Sequence, residues 1–202
     1  MKRMLLVGMA IALAATLSAQ AQSPNASPQS SSPKPQAPKT EPASKSAAAP
    51  AAKNADANFV MKAAEANMAE VELGKLAASK AGSSDVKSFA QMMVDDHSKA
   101  VTELKALAQQ KNIKWTTDLD HKDLALKERL SKLSGPDFDR VYMQAMVSGH
   151  RNVANEVRNE SKSGKDPDAK AWAAKVLPTV EEHLKKAEDL NKTIAKSTNS
   201  TH

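Results

Sequence analysis

From residue 56 onward apolar residues recur at intervals of three and four, and no stretch alternates as a half-buried strand would. This pattern predicts four long helices. The first spans about 57–80, with Phe59, Ala63, Ala66, Leu73 and Ala77 on one narrow stripe. In "AGSSD", Gly82 suits a helix end, and Ser83 or Ser84 suits the start of the next. The second helix, about 85–111, turns Val86, Ala90, Met93, Val101, Leu104 and Ala108 inward. A connection of some two dozen residues, 112–135, carries a short helix near 122–133, with Leu126, Leu130 and Leu133 facing the core. "SGPD" opens the third long helix: Ser134 and Asp137 have capping-box spacing and Pro136 fits the first turn. That helix buries Phe138, Tyr142, Ala145, Met146, Val153 and Val157 and runs to about Ser161. Gly164 closes it, and Asp166-Pro167 opens a fourth that reaches about Lys196. The fourth turns Trp172, Val176, Val180, Leu184, Ala187 and Ile194 inward, with Pro178 on the outer face as a candidate kink.

Two helical hairpins joined by a long connection predict an all-α fold, a ferritin-like four-helix bundle with one crossover. An up-and-down bundle with an ordinary long loop is the alternative, and the length of the connection favours the crossover.

The residues before this domain are of another kind. "MKRMLLVGMAIALAATLSAQAQS" has a basic start, an apolar run from Met4 to Leu17, and Ala19 and Ala21 flanking Gln20 as a cleavage site. It reads as a signal peptide over 1–21, and no cysteine follows that could carry a lipid anchor. An uncleaved anchor is the competing reading, but the apolar run is short for a membrane span. Residues 22–54 are rich in Ser, Pro, Ala, Gln and Lys and contain seven of the ten prolines. Almost nothing there could be buried, so the ordering entropy of a fold would go uncompensated. The segment is expected to be a disordered linker, with the bundle over 55–196 and a disordered tail over 197–202. Lysines in the linker offer contact with peptidoglycan or another envelope component. The chain is thus expected in the periplasm or cell envelope of a bacterium, with no membrane span once the signal is cleaved.

The net charge of +6 is concentrated outside the bundle. Lys2, Arg3, Lys34, Lys39, Lys45 and Lys53 precede residue 55 with a single acid, Glu41, so the bundle itself is nearly neutral. With 3% aromatic residues the chain also lacks the stacking platform that, with a basic face, marks a nucleic-acid binder.

One feature does not fit a plain core. In "QMMVDDHSKAV" the helical stripe contains His97, between Met93 and Val101. At about 100° per residue, Glu70 falls in the stripe of the first helix, His150 at the edge of the third and His183 in the fourth. Glu70 precedes Gly82 by a little over three helical turns, and His97 follows it by about four. His150 precedes Lys165 by about four turns, and His183 follows it by about five. Partners therefore differ in depth by only about 4–5 Å at roughly 1.5 Å per residue. If the crossover returns the chain to the first hairpin's turn, all four groups share one layer. Three imidazoles and a carboxylate are a ligand set for one zinc, copper or iron ion. Asp96, Asp139 and Tyr142 are candidates for outer partners that orient the ligands. The competing reading is a hydrogen-bonded polar layer that fixes helix register. His121 lies in the crossover and His202 in the tail, outside the layer.

The stretches "AAEANMAEVELGKLAASKAGSSDVKSFAQMMVDDHSKA", "LSGPDFDRVYMQAMVSGH" and "VLPTVEEHL" resemble the domain-of-unknown-function family numbered 4142. The resemblance covers roughly 56–191. It implies an exported, typically bacterial protein of ferritin-like fold, in a family often labelled predicted outer-membrane proteins. It supplies no agreed activity. Its pattern residues match here as Glu70, Asp96, His97, Phe138, Asp139, Tyr142, His150, Pro178 and His183. Di-iron sites of ferritin-like proteins use Glu-x-x-His. Here Val94, Val147 and Val180 stand three before the histidines, which disfavours di-iron chemistry.

No nucleophile–base pair and no phosphate-cradling glycine loop is evident, so the sequence leans away from an enzyme. Two readings remain: an exported bundle binding one metal ion, or a metal-free structural or interaction module of the envelope, such as a stress-related one. Oligomeric state is not legible. Cleavage is expected after Ala21, so the intact mass of the exported protein should correspond to a chain beginning at Gln22; a mature chain retaining Met1–Ala21 would establish the anchor instead.

Overall fold

A computed structural model describes residues 48–116 and 118–199, with side chains from 55 to 197. The signal peptide expected over 1–21, the linker as far as 47 and the end of the tail lie outside the described residues. Among the described residues the regular structure is helical: α1 (Ala48–Lys80), α2 (Ser84–Gln110), α3 (His121–Ser131), α4 (Gly135–Ser163) and α5 (Pro167–Asn199). No described helix is long and apolar enough to cross a membrane.

The all-α expectation holds, with differences at the ends. Helix α1 starts at Ala48, ahead of the expected 57. Alanine has the highest helix propensity and Pro50 is tolerated in a first turn, where its missing N–H has no partner to lose. Helix α5 runs unbroken through the exposed Pro178. Ser134 stands at the N-cap of α4 but makes no side-chain cap bond, and Asp137 pairs with Arg140 rather than completing a capping box.

Helices α1 and α2 form one hairpin and α4 and α5 a second. The crossover between them runs the length of the bundle. At one end, α4 begins against the α1–α2 turn, where Ala81 and Gly135 form an isolated bridge. Gly135 has φ +59, and a Cβ on Gly82 would stand 2.9 Å from the Gly135 Cα, so both positions require glycine. At the other end, Lys111 just past α2 pairs with Asp166 of the α4–α5 turn and Asp168 in the first turn of α5. The order is therefore up, down, down, up. Helix α3 packs on α1 and α4, burying Leu130 fully and Leu126 and Leu133 in part.

Two buried carboxylates lock the hairpins together. Asp139 of α4 accepts the Gly82 and Ser83 N–H groups at 3.0 and 2.8 Å. Asp56 of α1 accepts the Lys165 and Asp166 N–H groups, the latter at 2.6 Å. Each is 4% exposed. The two staples are related by a pseudo-two-fold: one constant sequence offset takes Asp56 to Asp139, Gly82 to Lys165, and Ser83 to Asp166. The same offset takes Phe59 to Tyr142 and Phe89 to Trp172. Accordingly the Phe59–Trp172 edge contact, with centroids at 6.0 Å, has its counterpart in Phe89–Tyr142 at 6.4 Å.

The core falls into two clusters. One surrounds Met93, Phe138, Tyr142 and Met146 near the α1–α2 turn; the other surrounds Val60, Leu104 and Trp172 toward the α4–α5 turn. On α1 the buried face is wider than the expected stripe. Val60, Ala64 and Ala69 join Leu73 and Ala77 in the core, because α1 packs on α2, α3 and α4 together.

The staples carry a measurable share of the stability. Asp139→Ala removes two charge-assisted bonds to the Gly82 and Ser83 N–H groups, so it should cost about 2–3 kcal/mol in urea unfolding, and Asp56→Ala should cost a similar amount. Asp137→Ala, which loses only an exposed pair with Arg140, should change stability by under about 0.5 kcal/mol.

Candidate metal centre

Between the two clusters the helices bury three imidazoles. His97 of α2 is 9% exposed, and His150 of α4 and His183 of α5 are each 2%. Their ring centroids lie 5.3–5.7 Å apart. One ligand atom from each lies within 4.8 Å of the others. The depth arithmetic of the sequence thus brings three of its four candidates together.

Each ring is held through one nitrogen by a group that can only accept a proton there. His150 Nδ1–H donates to the Met146 carbonyl at 2.9 Å. His183 Nε2–H donates to Asp96 Oδ2 at 2.9 Å. His97 Nδ1–H donates to Asn67 Oδ1 at 2.7 Å. The Asn67 amide is itself oriented, because its Nδ2 donates to the Ala63 carbonyl at 2.7 Å. These partners fix the tautomers. They leave a bare lone pair on His97 Nε2, His150 Nε2 and His183 Nδ1, and all three nitrogens are buried without a partner.

Asn67 is the residue that the sequence reading missed. It precedes Gly82 by as many positions as His97 follows it. Equal depth on paired helices was the available signal. Glu70, one turn further along α1, sits beside the Nδ1 edge of His150, with Oε1 at 3.9 Å from that nitrogen and within reach of Gly149. Its Oε2 is buried without a partner. Burial, reinforced by the Asp123 charge, pushes its carboxyl up to about 8, so it is largely neutral at pH 7. Glu70 therefore lies next to the trio without joining it.

The three outer candidates have different positions. Asp96 touches the trio, although through His183 and not through its neighbour His97. Tyr142 is fully buried between Phe138 and Phe89, and its hydroxyl has no partner. Burial, with the nearby Glu70, holds its phenol well above the usual range. Asp139 serves the turn at Gly82 and Ser83. On α4 it stands three turns before His150, about 16 Å along the helix. Met93 and Met146, whose side chains the sequence placed on the histidine faces, are fully packed in the first core cluster.

Electrostatics keep the His97 and His150 rings neutral. Burial, then the charges that His150 and His183 would carry, hold His97 well below the ordinary imidazole value. Burial and His183 push His150 down to about 4, against the Met146 carbonyl, which raises it. A neutral ring with one nitrogen anchored on oxygen and the other bare is the state in which imidazole coordinates a metal.

A family model described as Domain of unknown function (DUF4142) matches residues 41–190. No curated protein and no solved structure matches the chain.

The depressed imidazoles predict an acid-sensitive fold in the presence of a chelator. Their folded pKa lies below the unfolded value, so the stabilisation is complete above 6.5 and is lost as pH falls toward about 4. Between pH 7 and pH 5, His150 alone should remove about 2 kcal/mol. The slope of urea-derived stability against pH should be correspondingly shallower in His150→Gln; equal slopes would show that His150 titrates normally.

Proposed function

The chain belongs to the DUF4142 family, and for this member we propose that the bundle binds one transition-metal ion through His97, His150 and His183. The observation that carries the reading is the set of three bare, buried ring nitrogens on histidines anchored from behind by oxygen atoms. As a purely structural layer, the arrangement would leave three acceptors unsatisfied at a cost of about 1–3 kcal/mol each. A single ion removes all three costs. Three neutral imidazoles suit zinc, copper or iron, and a three-histidine set leaves a coordination position open. Asn67, the Met146 carbonyl and Asp96 would orient the ligands, and Glu70 would coordinate only after a change of rotamer. When bound, the ion supplies Lewis-acid or, for copper and iron, redox chemistry at the open position. We assign no reaction to it.

The up–down–down–up order with one long crossover supports placing the domain among ferritin-like bundles. The apolar run and small-residue cleavage site at the start of the sequence support export to the periplasm or envelope of a bacterium. A second reading, a metal-free structural module of the envelope, draws support from the Asn67–His97 and Asp96–His183 bonds, which tie α1 to α2 and α2 to α5.

Melting with added zinc, copper or iron separates the two. Under the metal reading the wild type gains stability by mass action, roughly 4 kcal/mol at a thousandfold excess over Kd. His97→Ala and His183→Ala should lose that gain, and His121→Ala should keep it. No rise in the wild-type midpoint with any of the three metals would leave the structural reading.

A further inference from the structure

The pseudo-two-fold of the bundle is broken where it matters for binding. At the α1–α2 end the interior is filled by Met93 and Met146, which are 0% and 1% exposed. The offset that relates the two staples takes these methionines to Val176 and Ala63. With these smaller residues the α4–α5 end holds a cavity of about 140 Å³, lined by Ala63, Val176, Phe59 and Trp172, with His97 and His183 also in its lining. The same framework is packed solid at one end and hollow at the other. A closed apolar cavity of this volume holds a benzene-sized molecule, and this one has in addition a charged side, with Lys62, Lys99, Glu103, Glu156 and Lys175 in its lining.

The hollow adjoins the histidine trio, because His97 and His183 belong to both. Building on the metal reading above, we propose that the cavity holds the body of a small organic monoanion whose anionic group takes the open position on the metal: a monocyclic aromatic carboxylate or a short branched aliphatic one.

Size and charge both select this class. Three alanines, four valines, Phe59 and Trp172 form the apolar part of the lining, and a body resting on them is apolar and, at this volume, of about six heavy atoms. A divalent ion on three neutral imidazoles brings two positive charges into the interior, and Asp96 on His183 offsets one. A monoanion offsets the other, which a neutral ligand cannot do. The remaining charges around the cavity do not oppose an anion. Lys175 is paired with Glu103, and of the remaining lining residues Lys62 and Lys99 are cationic against one acid, Glu156.

The test uses the full mature chain loaded with Co2+, whose visible bands report the coordination sphere, and benzoate as the probe. Benzoate should change those bands saturably, at least tenfold more tightly than acetate, which has the head but no body. The pair Ala63→Met and Val176→Met fills the hollow with the residues that the framework already accepts at its other end. This variant should still bind Co2+ and respond to benzoate at least tenfold more weakly. Ala100→Leu, filling from α2, gives the same readout should the double variant fail to fold. Co2+ bands indifferent to benzoate, or filled variants that respond as the wild type does, would overturn the inference and leave the metal reading intact. Absence of Co2+ bands in the wild type would overturn the metal reading, and this inference with it.

Discussion

The relation between the two hairpins depends on two buried carboxylates, each spanning from one hairpin to the turn of the other. A helix hairpin has no intrinsic preference for which end of a second hairpin it faces, and apolar stripes slide past one another at modest cost. A carboxylate held among backbone N–H groups does not slide, because a shift of one turn would leave its charge buried without partners. Asp139 on the Gly82–Ser83 turn and Asp56 on the Lys165–Asp166 turn therefore set the depth of every side chain between them. The second staple carries an extra charge relation. Burial together with the neighbouring Asp56 raises the Glu160 carboxyl at this end to about 7.

With depth fixed, the histidine layer follows. Imidazole is awkward in a core because it has two polar nitrogens pointing in different directions. Here one nitrogen of each ring meets an acceptor, and the other is left as a buried lone pair, on rings whose centroids lie 5.3–5.7 Å apart. The pseudo-two-fold shows how specialised this is. Asn67 and His150 occupy equivalent positions, and each donates to the carbonyl one turn back, Ala63 and Met146 respectively. His97 and His183 have Val180 and Ala100 as their equivalents. A symmetric pair of hairpins has thus become an asymmetric site, with imidazoles on three helices and an oriented amide on the fourth. The cavity follows the same logic, arising where the repeat departs from itself.

Much of this was legible in the sequence. Three- and four-residue spacing determined the long helices, and Ser83 and Asp166 marked two of their starts, since capping depends on a few neighbouring residues and little else. The position of His97 relative to Gly82, and of His150 and His183 relative to Lys165, fixed depths within each hairpin because helical rise is constant, and a crossover returning to the first turn then put all three at one level. What the sequence could not determine was anything set by the packing of one helix on another. It chose Glu70 as the contribution of α1 from its place on an ideal helical wheel and its distance from Gly82. Tertiary structure put Asn67 against His97 and left Glu70 beside His150 as a neutral acid, since the angular position of a helix depends on all its neighbours. Asp139 looked like a partner of the site by its place in the motif, and its contacts made it a staple instead. The internal two-fold stayed hidden because so few of the paired positions share a residue type; it is a symmetry of backbone paths and hydrogen bonds. Periodicity and capping are local and can be read along one chain, whereas the tautomer of each histidine, the partner of each carboxylate and the hollow beside them are decided by atoms that meet only when distant segments pack.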